Sequence, residues 1–112
     1  MFITRMRLVH PGEILRTEYL EPLSMSSNSL AACLSLTAAR VNEIVREKRG
    51  ITPDTALRLS RYFGTTPEFW LNLQMNYELG RAIHDEGKLI METVKPRDKN
   101  YMSVTNPKIN LS

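Results

Sequence analysis

The chain has 112 residues, 42% of them hydrophobic and 24% charged, which are ordinary proportions for a single soluble globular domain. Its net charge of +3 is too small to establish a polyanionic partner, so the placement of charge says more than its sum. A single cysteine, Cys33, excludes an intrachain disulfide or a cysteine-based metal cluster, and a small apolar thiol within a helix is expected in or near the core.

The first residues include Arg5 and Arg7 and lack the apolar run of a secretory signal. No stretch approaches the length of a membrane span, so a cytoplasmic protein with no membrane partner is expected. Pro11-Gly12-Glu13 opens a first helix that carries Ile14, Leu15, Glu18 and Tyr19 to Leu20, with Pro22 ending it. Ser26 is a favoured N-cap for the second helix, whose Leu30, Ala31 and Leu34 fall on one buried stripe. Ser35-Leu36-Thr37 breaks the pattern, and Thr37 can cap a third helix.

In that third helix Val41, Ile44 and Val45 face inward, leaving Ala39, Arg40, Asn42, Glu43 and Arg46 outward. Two short helices joined by a tight bend, the second with a polar free face, form a helix-turn-helix. Amphipathic helix pairs of this kind also occur in all-helical domains that never meet nucleic acid. Ala38 and Ala39 would let the third helix approach a surface closely, and Arg and Asn are the side chains that read guanine and adenine edges bidentately. Arg40 and Asn42 are therefore the leading base readers, with Ala39 near the groove floor and Arg46 at its edge. Ser26, Ser27 and Asn28, at the start of the preceding helix, can offer donors to a phosphate. Lys48 and Arg49, just past the third helix, would add phosphate contacts, although three nearby cations also suit a plain solvated loop.

Thr52-Pro53-Asp54 opens a fourth helix with a capping Thr, Pro at the first position and an acid at the positive end. Ala56, Leu59, Tyr62 and Phe63 form its apolar stripe, and Gly64 stops it. Thr66-Pro67-Glu68 repeats the opening for a long fifth helix expected to reach His84 or Asp85. Phe69, Trp70, Leu73 and Tyr77 fall on one side of it, and Leu71, Met75, Leu79, Ala82 and Ile83 on the other. A second apolar face wants a second partner, and a homodimer interface suits a protein that reads paired half-sites. Packing against the N-terminal segment or the tail is the alternative.

After Gly87 the pattern changes. Lys88 to Lys95 is expected to form a short strand or a docked extended segment, and the polar residues from Asp98 onward a mobile tail. This divides the chain into residues 1–87, for DNA binding and dimerisation, and an extended tail over 88–112. His10 and His84 lie far apart at expected helix ends, where capping or exposure explains them. No metal-ligand spacing, phosphate loop or nucleophile setting appears, so no cofactor, no metal and no enzymatic activity are expected.

The string His10-Pro11-Gly12-Glu13-Ile14-Leu15, followed by Tyr19-Leu20-Glu21-Pro22-Leu23, resembles the opening of the HigA antitoxin family, also called virulence-associated protein I, within the Xre/Cro-like helix-turn-helix proteins. The likeness continues through Arg40 to Val45, Lys48 to Thr52, Thr55 to Leu59 and Tyr62 to Gln74. It implies an all-α, five-helix, lambda-repressor-like domain that dimerises, binds operator DNA in its own promoter and neutralises a HigB-type toxin. Such toxins are mRNA endonucleases, so the antitoxin itself needs no catalysis. Members commonly carry Gly where this chain has Ser35, a departure that bears on the bend. The rival readings are an orphan regulator without a toxin and a module that binds only protein.

Overall fold

The computed structural model describes residues 7–97, and the expectation of a mobile tail from Asp98 onward lies outside them. Five helical elements and no strand occur among the described residues. Helix α1, Pro11–Ile14, runs on without a break as a π-helical stretch over Leu15–Leu20. It is followed by α2 (Ser27–Leu34), α3 (Ala38–Val45), α4 (Pro53–Phe63) and α5 (Pro67–Thr93).

Every helix starts at the residue that the sequence marks. The side chains of Ser26, Thr37, Thr52 and Thr66 accept the backbone N–H of Ser29, Arg40, Thr55 and Phe69. Each thereby satisfies one of the donors that a helix start leaves unpaired. His10 does the same for α1, its Nδ1 accepting the Gly12 N–H at 2.8 Å. Accepting through Nδ1 requires a neutral ring there, and burial lowers the pKa of His10, which keeps the ring uncharged. The π-helical stretch has a pattern-level cause. Leu15 and Leu20, five residues apart, would lie about 140° apart on an α-helix. The wider i→i+5 turn brings both inward, where they are buried.

The core is one cluster of Leu15, Leu20, Leu30, Ala31, Leu34, Val41, Ile44, Ile51, Ala56, Leu59 and Trp70. Trp70 is fully buried, and its indole N–H donates to Thr65 Oγ1 at 2.8 Å, so its polar atom is satisfied. Its ring lies 5.2 Å from that of Tyr19 and 5.0 Å from that of Phe69, pinning the start of α5 to the first helix. α2 packs mainly on α3, and α4 on α5.

Four expectations change. Helix α5 does not stop near Asp85 but continues through Gly87 to Thr93, so Lys88 to Thr93 are helical and only 94–97 are irregular. Gly87 costs a helix about 1 kcal/mol relative to Ala, too little to end one with good helix formers on both sides. His84 therefore sits within α5, exposed and 3.1 Å from Asp85, and caps nothing. Cys33 is exposed rather than buried, because Leu30, Ala31 and Leu34 already fill the inward stripe of α2. Leu71, expected on the outer face of α5, is half-buried against the core.

Gly12 makes the closest approach in the fold. A Cβ there would stand 1.9 Å from the carbonyl oxygen of Ile44, so α1 and α3 meet backbone to backbone. Backbone cannot swing aside as a side-chain tip can. Gly12→Ala should lower stability by about 3 kcal/mol, at the upper end of the usual cost of overpacking, read from urea unfolding midpoints. A loss below about 0.5 kcal/mol, the range of neutral surface changes, would show that the helices part easily.

Candidate nucleic-acid interface

Helix α3 lies across the core with Val41 and Ile44 buried, and its other side is clear of packing. Ala38 and Ala39 are exposed at its start, Asn42 and Glu43 are half-buried, and Arg46 is exposed at its end. Ser26, Ser27 and Asn28 lie beside this face, because Asn42 ties the two helices together. Its amide donates to Asn28 Oδ1 at 3.0 Å and to the Ala38 carbonyl at 2.9 Å. The Ser27 hydroxyl donates to Asn42 Oδ1. Both amide hydrogens of Asn42 are thus engaged within the protein. Reading a base would mean breaking one of these bonds.

Arg40 is also occupied. Its guanidinium turns toward the start of α4, with Nη2 3.6 Å from Asp54 and 3.4 Å from Thr55 Oγ1, while its Nε is buried without a partner. Those are long contacts for charged groups, so the arm is loosely held. Arg49 pairs with Glu43 at 2.8 Å across the exit of α3. Arg46 and Lys48 form no ion pair among the described residues. They are the free cations of this surface.

The bend between α2 and α3 turns on Ser35, whose backbone is left-handed (φ 55°, ψ 44°). The N–H of Leu36 closes back onto the Ala31 carbonyl at 2.9 Å. The bend therefore takes a backbone geometry that glycine adopts freely, with a residue that strains in it. Helix α3 ends by the same device. Glu47 is left-handed (φ 63°), and the Lys48 N–H reaches the Glu43 carbonyl at 2.7 Å.

Three residues that the sequence did not single out hold this surface in place. Arg16, on the first helix, donates to the Val45 carbonyl at 2.6 Å and pairs with Glu47 at 3.3 Å, capping α3. Arg58, on α4, donates to the carbonyls of Leu34 and Ser35 at 2.9 and 3.2 Å. Gln74, on α5, accepts the Ile51 N–H at 2.6 Å and fixes the loop after Arg49. The Asp54–Arg58 spacing of four residues was the only local signal for any of them.

A helix-turn-helix family profile matches residues 17–70, spanning α2, α3 and α4. Virulence-associated protein I of Dichelobacter nodosus is 56% identical over 81 residues, 72% of this chain and 75% of that protein. The chain belongs to the HigA family of helix-turn-helix proteins. An addiction-module antidote protein of that family from Coxiella burnetii superposes with a TM-score of 0.78 at 50% identity, covering 81% of this chain and 99% of that one. The Pseudomonas aeruginosa antitoxin HigA, solved with the higBA promoter, superposes with a TM-score of 0.80 at 48% identity, over 82% of this chain and all of that one. No helix among the described residues is long and apolar enough to cross a membrane.

Left-handed backbone costs an L-residue about 1–2 kcal/mol, partly offset by the greater unfolded-state entropy of glycine. Ser35→Gly should therefore raise stability by about 0.5–1 kcal/mol, measured by urea unfolding. A lowered midpoint would mean that the serine side chain itself stabilises the bend.

Proposed function

We propose that this protein is an antitoxin that represses its own operon by binding operator DNA as a dimer, and that neutralises a HigB-type toxin by binding alone. The observation that carries the reading is the free face of α3. It is small at its start, polar along its length and flanked on one side by Ser26, Ser27 and Asn28 and on the other by Arg46, Lys48 and Arg49. That surface has the chemistry for a major groove with phosphates on both rims. The likeness to an antitoxin solved with promoter DNA supports it over nearly the whole described chain.

Within this reading, Ala38 and Ala39 admit the helix to the groove, and Glu43 and Asn42 face the base edges. Arg40 leaves its loose contact with Asp54 to reach a base. Ser26, Ser27, Asn28, Lys48 and Arg49 hold phosphates, and Arg46 stands at the groove edge. The chain carries no catalysis, needs no cofactor or metal, and works in the cytoplasm.

Arg40→Ala should cost about 1–3 kcal/mol on the operator and relax discrimination, as expected when a base contact is lost. Lys48→Ala should weaken operator and scrambled duplexes alike and lower the salt slope by about one unit. Titrations of both variants at several salt concentrations separate the roles. Equal, sequence-independent losses for both would refute the assignment to Arg40.

The dimer interface is assigned to the outer face of α5. Met75 and Leu79 are 57% and 56% exposed there, with Ala82 exposed and Ile83 half-buried one turn on. Leu71, turned to the core, contributes only at its margin. Met75→Glu or Leu79→Glu would bury an unpaired carboxylate in a dimer but leave the monomer core intact. Sedimentation should show monomers of normal helix content and weaker operator binding. Dimers of wild-type strength would place the interface elsewhere.

A further inference from the structure

Arg58 is an arginine that the DNA-facing surface depends on without belonging to it. It stands on α4 between Ala56 and Leu59, both fully buried, so its backbone is fixed by the core. Its Nε donates to Asp54 Oδ2 at 2.9 Å, and its Nη1 donates to the carbonyls of Leu34 and Ser35 at 2.9 and 3.2 Å. Those carbonyls end α2, where helix geometry leaves oxygens without an N–H and the macrodipole favours a cation. Ser35 is the left-handed residue from which α3 departs. Asp54, the acid that orients Arg58, is also the acid 3.6 Å from Arg40 on α3. One guanidinium–carboxylate pair on α4 therefore touches the end of α2, the bend and α3.

We infer that Arg58 is a specificity-determining positioning residue: it fixes the direction in which α3 leaves the bend and makes no contact with DNA. A planar guanidinium suits the task, because its fork can serve a carboxylate on one edge and carbonyls on another, which an ammonium on a flexible stem cannot do in fixed geometry. A serine in left-handed backbone increases the need for such a hold, since the bend resists its own conformation. The inference rests on the operator reading of α3. It predicts that losing Arg58 removes sequence discrimination while leaving the general attraction to duplex DNA, whose cations lie elsewhere.

The test titrates the full chain with a duplex from its own promoter region and with a scrambled duplex of equal length, at several salt concentrations. Wild type, Arg58→Gln, Arg58→Lys and Arg61→Gln are compared, each shown to be folded at the assay temperature by its unfolding curve. Arg61 lies three residues further along α4, exposed and with no ion pair among the described residues, and controls for the lost charge. Arg58→Gln should lose about tenfold or more on the promoter duplex, the equivalent of one base contact. Its affinity for scrambled DNA should match that of Arg61→Gln, with the same salt slope. Arg58→Lys should recover only part of the discrimination.

Equal losses on both duplexes, with a salt slope lower by about one than that of Arg61→Gln, would make Arg58 a phosphate contact and overturn the inference. So would lowered stability with unchanged discrimination, or full recovery by lysine. A wild-type protein that does not prefer its promoter duplex would overturn the operator reading, and this inference with it. A wild type whose preference survives Arg58→Gln overturns this inference alone.

Discussion

The angle between α2 and α3 is fixed where the chain bends through a left-handed serine, and the placement of the open face of α3 follows from it. A residue with φ of 55° reverses the chain within a single residue, which lets Leu36 tuck inward and Thr37 cap the next helix at once. Serine gains nothing from that conformation by itself. It is held there because Leu34 and Val41 are buried on either side of the bend and Arg58 bonds the carbonyls between them. The local backbone yields because the core on both sides does not. Where glycine would give freedom, this chain uses packing and a guanidinium for constraint.

The arginines divide into two kinds that composition cannot distinguish. Arg16 and Arg58 spend their donors on the carbonyl ends of α3 and α2, where a cation complements the helix dipole and fills oxygens left unpaired. Arg46, and Lys48 beside it, leave their charge to solvent. Counting basic residues between positions 40 and 61 therefore overstates the charge offered to a phosphate backbone, because Arg58 is consumed inside the fold and Arg40 and Arg49 face acids. A modest net charge is then compatible with a polyanion partner. What matters is that the free cations sit at the exit of α3, whose polar outer face is open.

Signals that act over a few residues were legible, and those that act across the fold were not. Ser26, Thr37, Thr52 and Thr66 cap the helices they announce, since a cap needs only its own next turn. The inward stripes of α2 and α3 obey the helical period, whereas Tyr62, expected on the stripe of α4, is 44% exposed. Cys33 was misplaced because smallness suits both a core and a surface, and its neighbours had already filled the stripe. The end of α5 was misplaced because the apolar pattern changes after Gly87, although nothing between Gly87 and Pro96 opposes a helix. Arg16, Arg58 and Gln74 were invisible for a different reason. Each acts on a carbonyl or an N–H between 23 and 29 residues away, and such pairings leave no periodic trace.

Helix α5 ties together two surfaces that would otherwise be independent. Gln74 holds the loop behind Lys48 and Arg49 through the Ile51 N–H, and its amide also donates to Glu78 at 2.8 Å, one turn further along the helix. Met75 and Leu79 are the immediate sequence neighbours of these two residues, and both are exposed. At 1.5 Å of rise per residue, the loop anchor and the start of the outer apolar face lie within about one turn of the same rigid rod. A second copy seated on that face would therefore fix not only the distance between two α3 helices but also the helix that carries each phosphate-facing loop. In such a dimer, half-site spacing and backbone contact would be set by the same residues, and neither could drift without the other.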